Sequence, residues 1–236
     1  MRVLITAAAS LLVWAASASA QDIGNAEIMV TAQRRDGADF SDDMPAVGLR
    51  KNADFLIKEI TVSGDTRDGD DREDEIFAMI EGALKLADRH GVQMARGDLL
   101  VQPLTLQNFR DLTLSPDRRR PDAEFVTFLV KAPLGEGTSA SDAEKRIDTF
   151  VESVPEVGRA QMDADGEATF SVVAPDSYRV AIAAKIVADA QEMSGKLGDQ
   201  YAVEIEGLNM PVQWSRSGLT EVFLYIPYRL TIVPRP

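Results

Sequence analysis

The chain has 236 residues, 45% of them hydrophobic, which is enough for a substantial core, and its formal net charge is −13. Such an acid excess repels phosphate backbones and anionic lipid headgroups, and so argues against nucleic-acid and peripheral membrane binding. There is no cysteine, which excludes disulfides, thiol catalysis, cysteine-ligated metals and a lipid-modified N-terminal cysteine.

Residues 1–20 carry one early positive charge at Arg2, an apolar run from Val3 to Ala16 and the small-residue triplet Ala18-Ser19-Ala20. This is the pattern of a secretory signal peptide, with Gln21 as the mature start. Its removal deletes one arginine and no acid, taking the charge from −13 to −14. A membrane anchor is the rival reading, but the run is shorter than the roughly 20 residues a bilayer requires. The expected compartment is the periplasm, with outer-membrane association as a further option and no integral membrane segment after cleavage.

Residues 21–52 are rich in Asp, Gly and Ala without sustained periodicity, and read as a flexible leader ahead of one domain over 53–236. Inside the leader, Glu27-Ile-Met-Val-Thr-Ala-Gln-Arg-Arg35 is similar to the short segment through which TonB-dependent outer-membrane receptors offer a strand to TonB. The resemblance implies strand addition through Ile28, Val30 and Thr31, with TonB or another envelope protein as partner.

Phe55 to Val62 is predicted as a strand, with Leu56, Ile60 and Val62 on one side, interrupted by Lys58. The acidic run from Asp65 to Glu75 offers Asp70 or Asp71 as cap of a first helix. That helix buries Ile76, Ile80, Ala83, Leu84 and Ala87 and stops at Gly91. Val92 to Leu106 is extended, with a bulge at Gly97, and Ser115 to Asp122, which contains Arg118-Arg119-Arg120, is an exposed loop.

Phe125 to Ala132 is apolar on both faces and is expected centrally in a sheet. Ser141-Asp-Ala-Glu144 matches a capping box for a second helix that buries Ile147, Phe150, Val151 and Val154. Gly158 to Val173 reads as two strand pieces around the turn Asp163-Ala-Asp-Gly166. A third helix follows Pro175, with Ile182, Ile186, Ala190, Met193 and Leu197 as its apolar stripe and Gly198 as its stop. Tyr201 to Leu208 alternates as a strand, and Glu221 to Val233 reads as one long final strand.

Helices interleaved with strands, some of them joined as hairpins, give an α+β domain in which helices pack on a mixed, largely antiparallel β-sheet. The order resembles the SIMPL-domain family, also catalogued as a domain of unknown function in bacterial periplasmic proteins. The residues that carry this are Phe125-Val-Thr-Phe-Leu-Val-Lys131, Ile147-Asp-Thr-Phe150 and Val154-Pro-Glu-Val-Gly158. Tyr178 to Ala190, Lys196-Leu-Gly198 and Tyr228-Arg-Leu-Thr-Ile232 continue it. The resemblance implies a SIMPL-like fold without known catalytic residues; some relatives form ring-like oligomers and some are linked to oxidative-stress tolerance.

His90 is the only histidine and sits beside Gly91, where it suits a helix-capping role rather than a triad or a metal site. No register of the Asp65 to Glu75 run places calcium-loop ligands correctly. Trp214 and Arg216 form the preferred interface anchor, since tryptophan and arginine dominate interface hot spots. The expectation is a protein with no enzymatic role, no cofactor, and no catalytic or metal residues, working in the envelope by association. A homo-oligomer built through the edges at Val92 to Leu106 and Glu221 to Val233 is expected. An accessory role in TonB-dependent uptake and a carboxylate-based hydrolase with two acids converging in a pocket are the alternatives.

Overall fold

The computed structural model describes residues 27–30, 44–98, 100–120, 122–135 and 137–235. The expected signal peptide, Thr31 and most of the expected leader lie outside them. Five strands are β1 (Glu27–Val30), β2 (Leu49–Asn52), β3 (Phe55–Gly64), β4 (Gln93–Arg96) and β5 (Leu100–Pro103). Next come β6 (Ser115–Pro116), β7 (Glu124–Pro133) and β8 (Gln161–Val173). The last four are β9 (Tyr201–Glu206), β10 (Gln213–Arg216), β11 (Glu221–Tyr225) and β12 (Arg229–Pro234). The helices are α1 (Gly69–His90), α2 (Ala140–Ser153) and α3 (Arg179–Leu197).

The fold is α+β, and its principal sheet closes on itself. Strand β3 pairs with both β7 and β8, and the ladder runs β3-β8-β1-β5-β4-β7 back to β3, with β6 added beside β7. Every strand pair among the described residues is antiparallel. Alternation explains the closure: Leu56, Ile60 and Val62 of β3 face α1 and α2, whereas Ile57 turns inward to meet Ala95, Val101 and Leu129. A strand with both faces apolar needs cover on both, and the ring supplies the inner one.

Lys58, the residue that breaks the apolar pattern, is nearly buried on the helix-covered face. There its Nζ meets Asp148 at 2.9 Å and Glu144 at 3.0 Å, both from α2. Burial lowers its pKa, but the hydrogen bonds and charges of Asp148 and Glu144 outweigh this and hold the lysine above its ordinary value. The expected two strand pieces over 158–173 are one strand. Between the pairs Ile57↔Thr169 and Glu59↔Asp165, Gly166 to Ala168 face the single Lys58, so the expected turn is a bulge.

The caps shift by a few residues. Asp68, not Asp70 or Asp71, caps α1, accepting from the amides of both. The α2 box is Ser139 with Asp142, two residues earlier than expected, because Ser139 is the residue with extended backbone at φ −77, ψ 157. Gly91 ends α1 with φ +63, as anticipated. Gly97 starts the turn of a β4–β5 hairpin rather than a bulge, where a Cβ would lie 2.1 Å from the Leu100 carbonyl oxygen.

Four expectations fail at the level of elements. The leader contains β1 and β2, and β1 is paired on both sides, to β5 and β8. Val92 to Leu106 offers no free sheet edge, since β4 and β5 each have two neighbours in the ring. Glu221 to Val233 splits around Pro227, which has no N–H to continue a ladder. β11 joins a three-stranded sheet, β10-β11-β2, while β12 pairs with β9 in a separate two-stranded sheet. The principal contacts of α3 are with β9 and the 3-10 turn at Pro175–Tyr178, not with the ring. It buries Ile182, Ile186 and Ala190, but Met193 and Leu197 are exposed.

Candidate functional site

Of the five residues singled out for interaction, the structure brings two together. Ile28, on the helix-facing side of β1, stands opposite Leu100 of β5. Facing them across a cavity of about 490 Å3 are Pro175, Val212 and Trp214. Trp214 is the second residue of β10, opposite Leu224 of β11, and is half-buried against the core rather than exposed. The cavity therefore opens where the ring meets the C-terminal layer.

Two polar contacts fix its far wall. The Asp176 carboxylate accepts from the Val212 amide at 3.2 Å, and Arg179 donates to the carbonyls of Leu208 and Met210. These bonds pin the segment 208–212 against the start of α3, so the wall is preformed. Apolar side chains dominate the lining, with Asp176 and Gln213 supplying polar atoms. Such a surface suits an apolar or aromatic group and contains no nucleophile paired to a base.

The other predicted residues lie elsewhere. Glu27 to Val30 pair along their length with β8, and Glu27 and Ile28 also pair with β5, so β1 is built into the ring rather than held free as a strand for TonB. Thr31 lies outside the described residues. Arg216, at the far end of β10, places its guanidinium 4.6 Å from the Phe170 ring centroid and donates to the Gly218 carbonyl at 3.1 Å.

A second, polar cavity of about 310 Å3 lies at the end of β3, lined in part by Asp65, Asp117, Arg120, Glu124, Glu156 and Arg159. Its acids converge as a hydrolase would require, but arginines neutralise most of them. Arg159 Nε lies 2.6 Å from Asp65, Arg72 Nη2 2.7 Å from Glu124, and Arg120 Nε 3.4 Å from Asp117. The Arg159 hydrogen bond holds the Asp65 carboxyl below its ordinary pKa, and the Thr66 hydroxyl does the same for Glu75. A general acid needs the opposite shift, so neither group is set up to donate a proton at neutral pH. Gly158 allows this network to form: at φ +57, a Cβ there would lie 2.1 Å from the Glu75 carboxylate, which accepts from the Arg159 amide at 3.0 Å.

His90 is the last residue of α1, beside the Gly91 cap, where a basic group was expected, and its Nε2 lies 3.0 Å from Ser153 Oγ. Ser153 donates its proton to the Phe150 carbonyl at 2.7 Å, so the imidazole is the donor to the hydroxyl. That polarity is the reverse of an activated serine, and the pair ties the ends of α1 and α2 together. Among the described residues, no group of three acidic or histidine side chains is placed to hold a metal. No helix among them is long and apolar enough to cross a membrane.

Sequence reasoning missed a buried polar cluster inside the ring. Lys131 is bonded to Glu27, which also accepts from Ser171 Oγ at 2.6 Å, and the Lys131 ammonium lies 4.2 Å from the Phe55 ring centroid. The partners are 104 and 144 positions apart, so no local spacing signals them.

No family model matches the chain, and no curated protein matches it. An uncharacterized conserved protein from Listeria innocua is 13% identical, over 78% of this chain and 92% of that one, with a TM-score of 0.15. Two structures described as hydrolases from Listeria innocua are 12% identical over the same shares, with TM-scores of 0.15 and 0.16. The expectation that the chain has no enzymatic role is accordingly withdrawn, since hydrolases are among the proteins it is similar to. At these TM-scores the likeness assigns neither a fold nor a reaction to this chain.

Proposed function

We propose that the protein is an exported, SIMPL-like component of the bacterial envelope that acts by binding, in assembly or stress-related interactions. Its binding site is the apolar cavity between β1 and β10. The observation that carries this reading is the preformed apolar recess shared by Ile28, Leu100, Val212 and Trp214. The order of elements from β3 to β12 supports the SIMPL-like reading, as does the apparent export signal in residues 1–20.

The sequence provides its own reporter. The two tryptophans are Trp14 and Trp214, so the mature chain starting at Gln21 would contain only the tryptophan that lines the cavity. Titrating this chain with Nile red, a neutral apolar dye, should give saturable binding with quenching of Trp214 emission. Val212→Glu should weaken binding by about tenfold or more, the usual cost of spoiling a packed anchor. Dye uptake that does not saturate, or that is indifferent to Val212→Glu, rules the site out.

A further inference from the structure

The recess at Trp214 is mostly apolar, and Asp176 is the only charged side chain that lines it. Asp176 is half-buried at the start of the 3-10 turn Pro175–Tyr178. One of its carboxylate oxygens, Oδ1, accepts from the Val212 amide at 3.2 Å. The other, Oδ2, has no hydrogen-bond partner among the described residues.

The cations around it are committed elsewhere. Arg179 follows three residues later, but its two terminal nitrogens donate to the carbonyls of Met210 and Leu208. Lys51 pairs with Asp54 at 2.7 Å, and Arg216 rests on the Phe170 ring. In the polar cavity at the end of β3, by contrast, Asp65, Asp117 and Glu124 each have an arginine. Asp176 therefore keeps its negative field, and the apolar wall beside it strengthens that field.

We infer that the recess takes a small organic cation, with an alkyl or aromatic body seated among Ile28, Leu100, Val212 and Trp214 and a protonated amine donating to Oδ2 of Asp176. The inference rests on the binding role proposed for this recess and gives that site its ligand class. A volume of about 490 Å3 lies within the range of small-molecule sites. A hydrogen bond between an ammonium and a carboxylate is roughly twice as strong as one between neutral groups, so the amine is preferred over an alcohol of the same shape.

Calorimetric titration of the mature chain with phenylbutylamine, which is protonated at neutral pH, and with phenylbutanol, its neutral counterpart, tests this. The amine should bind about tenfold more tightly. Asp176→Asn keeps an oxygen for the Val212 amide but removes the charge, and the ratio of the two affinities should fall to about one. Asp199→Asn removes the same charge at an exposed position outside the recess and should leave the ratio unaltered. If Asp176→Asn does not fold, Gln213→Lys answers the same question: it sets a competing cation at an exposed position of the same lining and should lower the ratio. Equal affinities for amine and alcohol, a preference that survives the variant at Asp176 or Gln213, or one lost equally in Asp199→Asn overturns the inference. Nile red keeps the two readings apart. Saturable dye binding without a preference for the amine removes the cation and leaves the recess as a site, whereas dye uptake indifferent to Val212→Glu removes both.

Discussion

Glu27 shows how much one side chain contributes to the ring. The side chains of Lys131 and Glu27 are 8% and 11% exposed, so losing the carboxylate leaves an ammonium in the interior with only the Phe55 ring beside it. Glu27→Ala should cost about 3–5 kcal/mol, measured as a lowered urea midpoint. Replacing both Glu27 and Lys131 by methionine should recover most of that loss, and a single variant that unfolds like the parent would refute the account. Lys58 makes a pH-dependent contribution. Its folded pKa lies above the ordinary 10.5, so its stabilisation is complete below that value and fades as pH climbs through the folded value. Lys58→Met should therefore narrow its stability gap to the parent as an alkaline denaturation series proceeds. A constant gap from neutral pH upward would show that the ion pairs contribute nothing. Neither lysine's partner was legible in the sequence. Lys58 stood out as a break in an apolar strand, but Asp148 lies 90 positions on, where only tertiary packing brings it close.

At the level of elements, what the sequence revealed was whatever local chemistry decides. The helix stop at Gly91, the burial of Ile76 and Ile80, and the two-faced apolar character of β7 all depend on near neighbours. Elements whose existence depends on distant pairing were not visible. β1 has no hairpin partner, and its neighbours β5 and β8 lie far along the chain, so Glu27 to Val30 looked like leader. The cavity was half legible: Trp214 stood out by residue type, but Ile28 joins it only through that long-range pairing. The third helix and its stop at Gly198 were read correctly, and its buried stripe as far as Ala190. Its apolar spacing continues to Leu197, yet the two-stranded sheet beneath it is too narrow to cover Met193 and Leu197. This makes a dynamic prediction: amides of β9 and β12 should exchange with solvent well before those of β3 and β7, which are paired on both sides or covered by helices. Hydrogen exchange followed by mass spectrometry reads this directly, and equal protection would mean that the unit is covered.

For the whole molecule, composition set the boundaries and topology the outcome. A chain without cysteine and with a charge of −13 depends on packing, and the ring with its two helices provides most of it. The C-terminal sheets add a second layer, joined to the ring through the segment that bears Trp214. Closure of the ring also imposes a timetable. Synthesis runs from the amino terminus, so residues 27–30 are among the first of the described segments to emerge, while their mates Phe170 to Val173 arrive some 140 residues later. Throughout that wait the ring lacks β8, the last of its strands to be made, which closes it by pairing with β1 on one side and β3 on the other.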